Sequence, residues 1–326
     1  MADPVTVAIP VRNGAPLLAE TLAAVRAQKL SRPIELLVAD SGSTDGSLEL
    51  ARDAGAQVIE VDPREFSHGG TRNMLARSAT GSHVAFLTQD AVPASEDWLA
   101  RLLGGFDLEE GVGLVYGPYQ PRSDASPMVH RELADWFRSL SPSGEPRIDR
   151  GLPAGTGAEA VRALFFTDAN GCVERAALER VPFREVAYAE DQQLARDMLA
   201  AGYAKVFRPD AAVVHSHDYR PRELFGRLFD ESRALREVHG IVAPANPVRQ
   251  ALIVQRAVRD DLAFLKRDGA RTAARLRLLP ASLAHHVLRA LGAIAGSRAA
   301  LLPPRLRRAC SLERRAESNP LAGSGV

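Results

Sequence analysis

The first hundred residues of this chain alternate between short apolar runs and helix-periodic stretches, with only a few residues between them. "VTVAIP", "IELLVAD", "AQVIEVD" and "HVAFL" are apolar runs of strand length. Between the first two lies "APLLAETLAAVRAQ", in which Leu18, Leu22 and Val25 recur at helical spacing. "SLELARDAG" and "TRNMLARSA" fill the later gaps. Parallel strands need such crossovers, so the pattern predicts a mostly parallel α/β sheet with helices on both faces and ligands outside the carboxyl ends of its strands. Asp40, the loop 66–73 and Asp90 all fall at such ends.

Beyond Leu108 the rhythm fades. "GLVYGPYQP" reads as a strand, "SPMVHRELADWFRSL" as a helix, and 141–160 as a Pro- and Gly-rich loop. "ALFFTDANGCVERAAL" reads as strand, turn and short helix; a helix follows from near Glu190 to a stop at Gly202. "AKVFRPDAAVVHSH" gives two short strands ending in a histidine pair. From Pro221 the chain is helical, with one apolar stripe at Val254, Val258, Leu262 and Leu265 and another at Leu283, Val287, Leu291 and Ile294. We expect a first half at 1–110, a second half at 111–220, a helical extension at 221–315 and a disordered tail at 316–326.

Charge separates these regions. The whole chain has a formal net charge of +1, yet residues 256–315 hold 14 Lys/Arg against 4 Asp/Glu. The extension is either a solvated basic face or the contact for an anionic partner. Its most apolar stretch is interrupted by Pro280, Arg289 and Arg298, so it is expected to lie on a membrane rather than cross one. Two distant cysteines and no signal-peptide pattern in "MADPVTVAIPVRNG" fit a cytoplasmic protein, with peripheral contact at the inner face of the plasma membrane as an extension of that reading. No nucleic-acid motif interleaves the basic residues with aromatics, which sets that class aside.

Four constellations carry chemistry. Asp40 above "SGSTDGS" suits a base or ribose, although a helix-capping turn explains the same residues. "FSHGGTRN" offers close backbone approach at two glycines and an anion-favouring helix start at Arg72 and Asn73; a tight turn with an exposed arginine is the plainer account. "AEDQQ" sets Glu190 and Asp191 at a helix N-terminus, where acids are common but where a general base also meets a hydroxyl. His215 and His217 alternate on a strand and so share a face, near enough in the pattern to partner the lone carboxylate of Asp90 on a metal.

Taken in order, "VAIPVRNG", "LLVADSGSTDGS", "GGTRNMLARSATGSHVAFLTQDAVP", "AEDQQLARDMLAAGY" and "PDAAVVH" resemble the family 2 glycosyltransferases, inverting enzymes with the GT-A fold. The "FSHGGTRN", "LTQDA" and "HSHDY" segments resemble rhamnosyltransferase-type members of bacterial cell-surface polysaccharide synthesis. The resemblance implies that Asp40 binds a pyrimidine base, with Pro10, Arg12 and Asn13 lining the same pocket and Arg72 and Asn73 beside base and diphosphate. It places the D-x-D element on Thr88, Gln89 and Asp90, with only the last carboxylate kept. Metal binding, to Mn2+ or Mg2+, then falls to Asp90, the diphosphate and His215, with His217 in reserve. Asp191, aided by Glu190, becomes the general base. The acceptor, a glycan or a lipid-linked saccharide, is expected at Trp136, Phe166 and Asn170. The helical extension is left to dock on the transferase domain, form a homo-oligomer or meet a membrane. Thr88 also motivates an alternative: an inactive sugar-nucleotide-binding scaffold of a polysaccharide assembly complex.

Overall fold

The computed structural model describes residues 3–186, 188–269 and 271–313, so the expected tail at 316–326 lies outside the described residues. The chain divides into two compact units. The first comprises residues up to Arg122 together with Ala134–Ser216; the second comprises Ser123–Leu133 and the residues from His217 onward.

In the first unit the elements follow in order: β1 (Val5–Val11), α1 (Ala15–Arg26), β2 (Ile34–Asp40), α2 (Ser47–Asp53), β3 (Gln57–Glu60), α3 (His68–Ser78) and β4 (His83–Leu87). Then come β5 (Val92–Pro93), α4 (Trp98–Leu103), β6 (Val112–Tyr116), β7 (Tyr119–Gln120) and α5 (Pro127–Leu140), which begins in the second unit. The rest are β8 (Arg147–Arg150), α6 (Ala158–Leu164), β9 (Asn170–Glu174), α7 (Arg175–Arg180), α8 (Glu190–Ala200), β10 (Ala204–Phe207) and β11 (Val213–Val214). Eight strands form one sheet in the order β3-β2-β1-β4-β9-β6-β10-β8, and β5-β11-β7 form a second. The expected parallel run holds for β3, β2, β1 and β4, while β9 lies antiparallel between β4 and β6. Apolar side chains of β1, β2 and β4, buried on both faces, make the core with Leu18, Leu22 and Val25 of α1.

Two stretches differ from the sequence reading. "ALFF" is the end of helix α6 and an irregular segment; the strand begins only at Asn170, because Phe166 leaves the sheet to pack edge-on against Tyr116. Inside 141–160, β8 pairs with β10 and closes the sheet edge. A fully buried lysine fixes that pairing: Lys205 donates to Asp149 at 2.9 Å and to the Phe165 carbonyl at 2.8 Å.

The second unit contains α9 (Pro221–His239), α10 (Pro247–Arg267), α11 (Thr272–Gly296) and α12 (Pro304–Cys310). Pro280 lies inside the continuous α11, and although Pro280 and Arg289 interrupt its apolar run, by length and composition alone this helix is apolar enough to span a bilayer. Glycines let α11 approach α9 closely: a Cβ at Gly296 would lie 2.1 Å from the Phe229 carbonyl oxygen. On α10, the buried Asp261 accepts hydrogen bonds from His286 and Ser282 of α11 and from Arg131. Burial opposes its ionisation, but those donors win and hold its pKa at about 2.

Burial pulls Lys205 down to a pKa of about 8 despite its ion pair with Asp149. A depressed lysine binds fewer protons folded than unfolded between its two pKa values, so stability must rise with pH there. We expect denaturant stability to climb from pH 8 toward 10 by up to about 3 kcal/mol. Above pH 10 the Tyr116 phenol, raised by burial, opposes the trend. Urea titrations of Lys205→Met across that range should show a flatter profile; the same slope in both proteins would remove Lys205 as its source.

Candidate active site

Loops at the carboxyl ends of β1 and β2 are stitched together by side chains. Asn13 takes a left-handed backbone (φ 49°), which asparagine tolerates, and its amide oxygen accepts from the Thr44 N–H at 2.8 Å. The Asn13 and Gly14 N–H groups donate to the Ser43 and Ser47 hydroxyls, both at 2.9 Å. Gln89 closes the third side by accepting from the Arg12 N–H at 2.8 Å, and Gly14 leaves room for its carboxamide. Pro10 lies in β1 opposite Ala39.

This frame fixes Asp40. One carboxylate oxygen accepts from the Gly42 and Ser43 N–H groups, each at 3.0 Å. The other, Oδ1, is buried without a hydrogen-bond partner. A buried acceptor left unmatched costs about 1–3 kcal/mol, so the site suits a ligand N–H or O–H donor. The Thr88 hydroxyl, at the mouth of β4, is likewise buried and unmatched.

Asp90 follows β4, and His215 follows β11 of the second sheet. Asp90 Oδ1 and His215 Nδ1 are 3.5 Å apart, with both side chains almost wholly buried. A carboxylate oxygen beside an imidazole nitrogen is a donor set that divalent cations such as Mn2+ accept, while Mg2+ favours the oxygen. His217 begins the second unit, where its ring stacks on Tyr219 at 5.5 Å.

From His215 a chain of contacts runs toward Arg72 and Glu190. The His215 ring meets Tyr119 edge-on at 4.9 Å, and the Tyr119 hydroxyl hydrogen-bonds Thr167. Next to Thr167, Asp168 takes Arg72 in a two-pronged ion pair at 2.7 and 3.0 Å. The third prong of the same guanidinium donates to Glu190 at 3.0 Å. All three charged groups are buried. Burial drives Asp168 well above the usual carboxylate range against the pull of Arg72, and the negative Glu190 and Asp191 reinforce it. Burial also opposes ionisation of Glu190, but His68 and Arg72 outweigh it and hold that carboxyl down. The two carboxyls are therefore unequal: burial and the neighbouring acids disfavour charge on Asp168, whereas His68 and Arg72 favour it on Glu190.

Asp191, one residue on, is only half-buried at the start of α8, and its own carboxylate accepts from the Gln192 N–H at 2.7 Å. Ala189 just before it holds a left-handed backbone (φ 59°), a conformation costly for alanine that turns the chain into the helix.

Several expectations change. Arg72 and Asn73 lie in the second turn of α3, not at its start; the N-cap is Ser67, which accepts from the Gly70 N–H. Both glycines are close-packed inside the protein: a Cβ on Gly69 would sit 2.3 Å from the Arg184 carbonyl oxygen, and one on Gly70 2.5 Å from the Ser67 hydroxyl. Asn73 binds the Phe183 backbone through both its amide oxygen and nitrogen. Asn170 is fully buried: its oxygen accepts from Trp98, and its nitrogen donates to the Pro118 and Ala211 carbonyls. Phe166 is also core, so neither residue is open to an acceptor. Trp136 remains partly exposed, edge-on to Phe165 at 5.1 Å.

With this geometry in place, comparison with known proteins is decisive. The family model for glycosyl transferase family 2 matches residues 6–170. The chain belongs to that family. It is 32% identical over 231 residues to the O-antigen chain rhamnosyltransferase RfbN of Salmonella typhimurium, covering 69% of this chain and 70% of that protein. Against the O-antigen chain rhamnosyltransferase WbaN of Salmonella anatum it is 33% identical over 208 residues, 62% of this chain and 63% of that one. Among solved structures, the mannosyltransferase PcManGT of Pyrobaculum calidifontis superposes with a TM-score of 0.58 at 22% identity, over 91% of this chain and 86% of that chain. TarS of S. aureus (residues 1–349) follows at 0.51 and 15% identity, over 91% of each chain. The fold is GT-A, and the protein is a glycosyltransferase.

In this family 2 enzyme the carboxylate that the sequence reading missed is Asp168. Its signal was present as an acid set between "FFT" and "ANG", but nothing in the spacing tied it to Arg72, 96 residues away.

Removing the cation should expose that dependence. Arg72→Met leaves Asp168 and Glu190 buried without compensation and should cost about 3–5 kcal/mol at pH 7.5. Part of the loss should return on acidification, because both carboxyls then escape by protonating. Urea unfolding at pH 7.5 and 5.5 checks this; an equal loss at both values would mean that packing, not charge, is what Arg72 supplies.

Proposed function

We propose that this enzyme is an inverting transferase that moves L-rhamnose from a nucleoside diphosphate donor, dTDP-β-L-rhamnose, to a hydroxyl of a glycan or lipid-linked acceptor in cell-surface polysaccharide synthesis. The observation that carries the reading is the continuous path from the Asp90–His215 pair through Tyr119 and Thr167 to the Asp168–Arg72–Glu190 cluster and Asp191. It supports a leaving-group end and a proton-accepting end on one wall. The names of the two Salmonella relatives support rhamnose, and PcManGT, solved with GDP-Man and Mn2+, supports a sugar nucleotide and a divalent cation.

The unmatched Oδ1 of Asp40 is the natural acceptor for a pyrimidine N–H, with the backbone of Arg12 and Asn13 beside it. Asp90 and His215 would hold the cation, whose chemistry is to neutralise charge growing on the departing diphosphate. Thr88 replaces a second carboxylate, so the remaining ligands must come from the diphosphate and water. The acceptor oxygen attacks the anomeric carbon as the bond to the diphosphate oxygen breaks on the opposite face. The hydroxyl proton passes to Asp191. Asp191 suits this role better than Glu190, which is buried and committed to Arg72. The configuration at the anomeric carbon inverts and an α-L-rhamnoside results.

Calorimetric titration with dTDP and UDP, each with and without Mn2+, tests the donor site. We expect metal-dependent binding with dTDP preferred. Binding of neither nucleotide at any metal concentration would remove the pyrimidine-nucleotide donor, and binding without turnover of dTDP-rhamnose would remove rhamnose from the proposal or favour the scaffold that Thr88 suggests.

Asp191→Asn should lower transfer by roughly 10²–10⁴-fold while nucleotide binding stays near wild type. Weakened nucleotide binding instead would move Asp191 into the donor site. For His215→Ala, the Mn2+ concentration giving half-maximal nucleotide binding should rise. An unchanged metal titration would take His215 out of the coordination shell.

A further inference from the structure

Helix α11 is turned inside out. Its buried positions are Ser282, His286, Gly292 and Gly296, which are polar or small. Its outward positions are Leu276, Leu279, Leu283, Val287 and Leu291, exposed by 62, 39, 49, 38 and 51%. At about 100° per residue these five fall within about 120° of arc, and at 1.5 Å per residue the stripe is about 22 Å long. A helix made only to pack inside its own unit would bury that face. Large apolar patches left on a surface mark a contact site.

The charges beside the stripe say what the contact is. From Arg271 to Cys310 the chain has eight arginines and neither Asp nor Glu. Arg275 and Arg277 flank Leu276 on either side of the wheel, where a long side chain can lay its stem along apolar surface and keep its head in water. Arg271, Arg277, Arg305 and Arg308 are exposed. A second copy docked face to face would bring two such acid-free, arginine-rich rims together. An anionic lipid surface complements both the stripe and the rim.

We infer that the outward face of α11 is a docking surface for an anionic lipid bilayer, lying in the plane of the headgroups. The helix docks rather than crosses. Its other face is held by the Ser282 and His286 hydrogen bonds to Asp261 and by the close approach of Gly292 and Gly296 to α9, all of which a crossing helix would surrender. The inference goes beyond the proposed reaction and does not rest on it.

Vesicle co-sedimentation of the full chain tests it. The protein should pellet with phosphatidylcholine vesicles containing roughly 30% phosphatidylglycerol and not with phosphatidylcholine alone, and high salt should release it. The double variant Leu279→Glu, Leu283→Glu should lose at least about tenfold in bound fraction, while Arg275→Gln with Arg277→Gln should lower the salt concentration of release. Leu279, Leu283 and Arg277 are exposed and Arg275 partly so, and unchanged thermal unfolding and unchanged nucleotide titration would show that fold and donor site are intact. Failure to pellet, equal binding to neutral vesicles, or retention by vesicles through a high-salt wash would overturn the inference. So would a dimer in sedimentation velocity that the leucine variants dissociate, since the stripe would then belong to a second copy.

Discussion

A single guanidinium organises the catalytic unit. Arg72, almost wholly buried, satisfies two carboxylates that arrive from distant parts of the chain: Asp168 from the segment before β9 and Glu190 from the first turn of α8. Neither acid would be tolerated in that interior alone, because a buried charge without a partner costs several kcal/mol. The cation therefore decides where α3, the 167–168 segment and the start of α8 can sit. Arginine fits the task better than lysine would. Its planar fork can grip Asp168 with two nitrogens and still present a third to Glu190.

That arrangement gives two adjacent acids different surroundings. Glu190 faces inward and is held ionised by Arg72 and His68, while Asp191 stands at the rim of the same turn. The strained Ala189 sets the angle at which α8 enters, and hence which acid points in. Sequence adjacency alone treats the pair as equivalent. Burial breaks the equivalence: Glu190 is closed in against Arg72, and Asp191 keeps partial solvent access.

The β1–β4 rhythm was readable because parallel strands covered on both faces must be apolar along their length, and their polar residues are confined to the ends. Asp40 and Asp90 stood out for that reason, as did the helix of Glu190 and Asp191 with its glycine stop. The misread stretches obey longer-range rules. Asn170 looked like a polar residue free for a ligand, yet it is fixed by Trp98, Pro118 and Ala211, three partners with no local spacing to announce them. Gly69 and Gly70 looked like a ligand cradle; Gly69 is small because the Arg184 carbonyl passes against it, and Gly70 because the Ser67 hydroxyl does. Asp168 was overlooked because its partner is 96 residues away. Local pattern reports periodicity and chain ends; it does not report which polar groups meet inside.

The second unit extends the same lesson to a surface. The stripe at Leu283, Val287 and Leu291 is a clear helical signal, and periodicity alone would assign it to a core. The structure instead buries Ser282 and His286 on the other side, where Asp261 needs their hydrogen bonds to remain ionised at a pKa near 2. Glycines at 292 and 296 then draw α11 against α9 too closely for larger side chains on that face. Once the inner face is polar and small by necessity, the leucines have only the outside left. An apolar moment pointing away from the fold, on a helix followed by an arginine-rich segment without a single acid, is the opposite of what solubility selects. It is what a helix resting on anionic lipid requires.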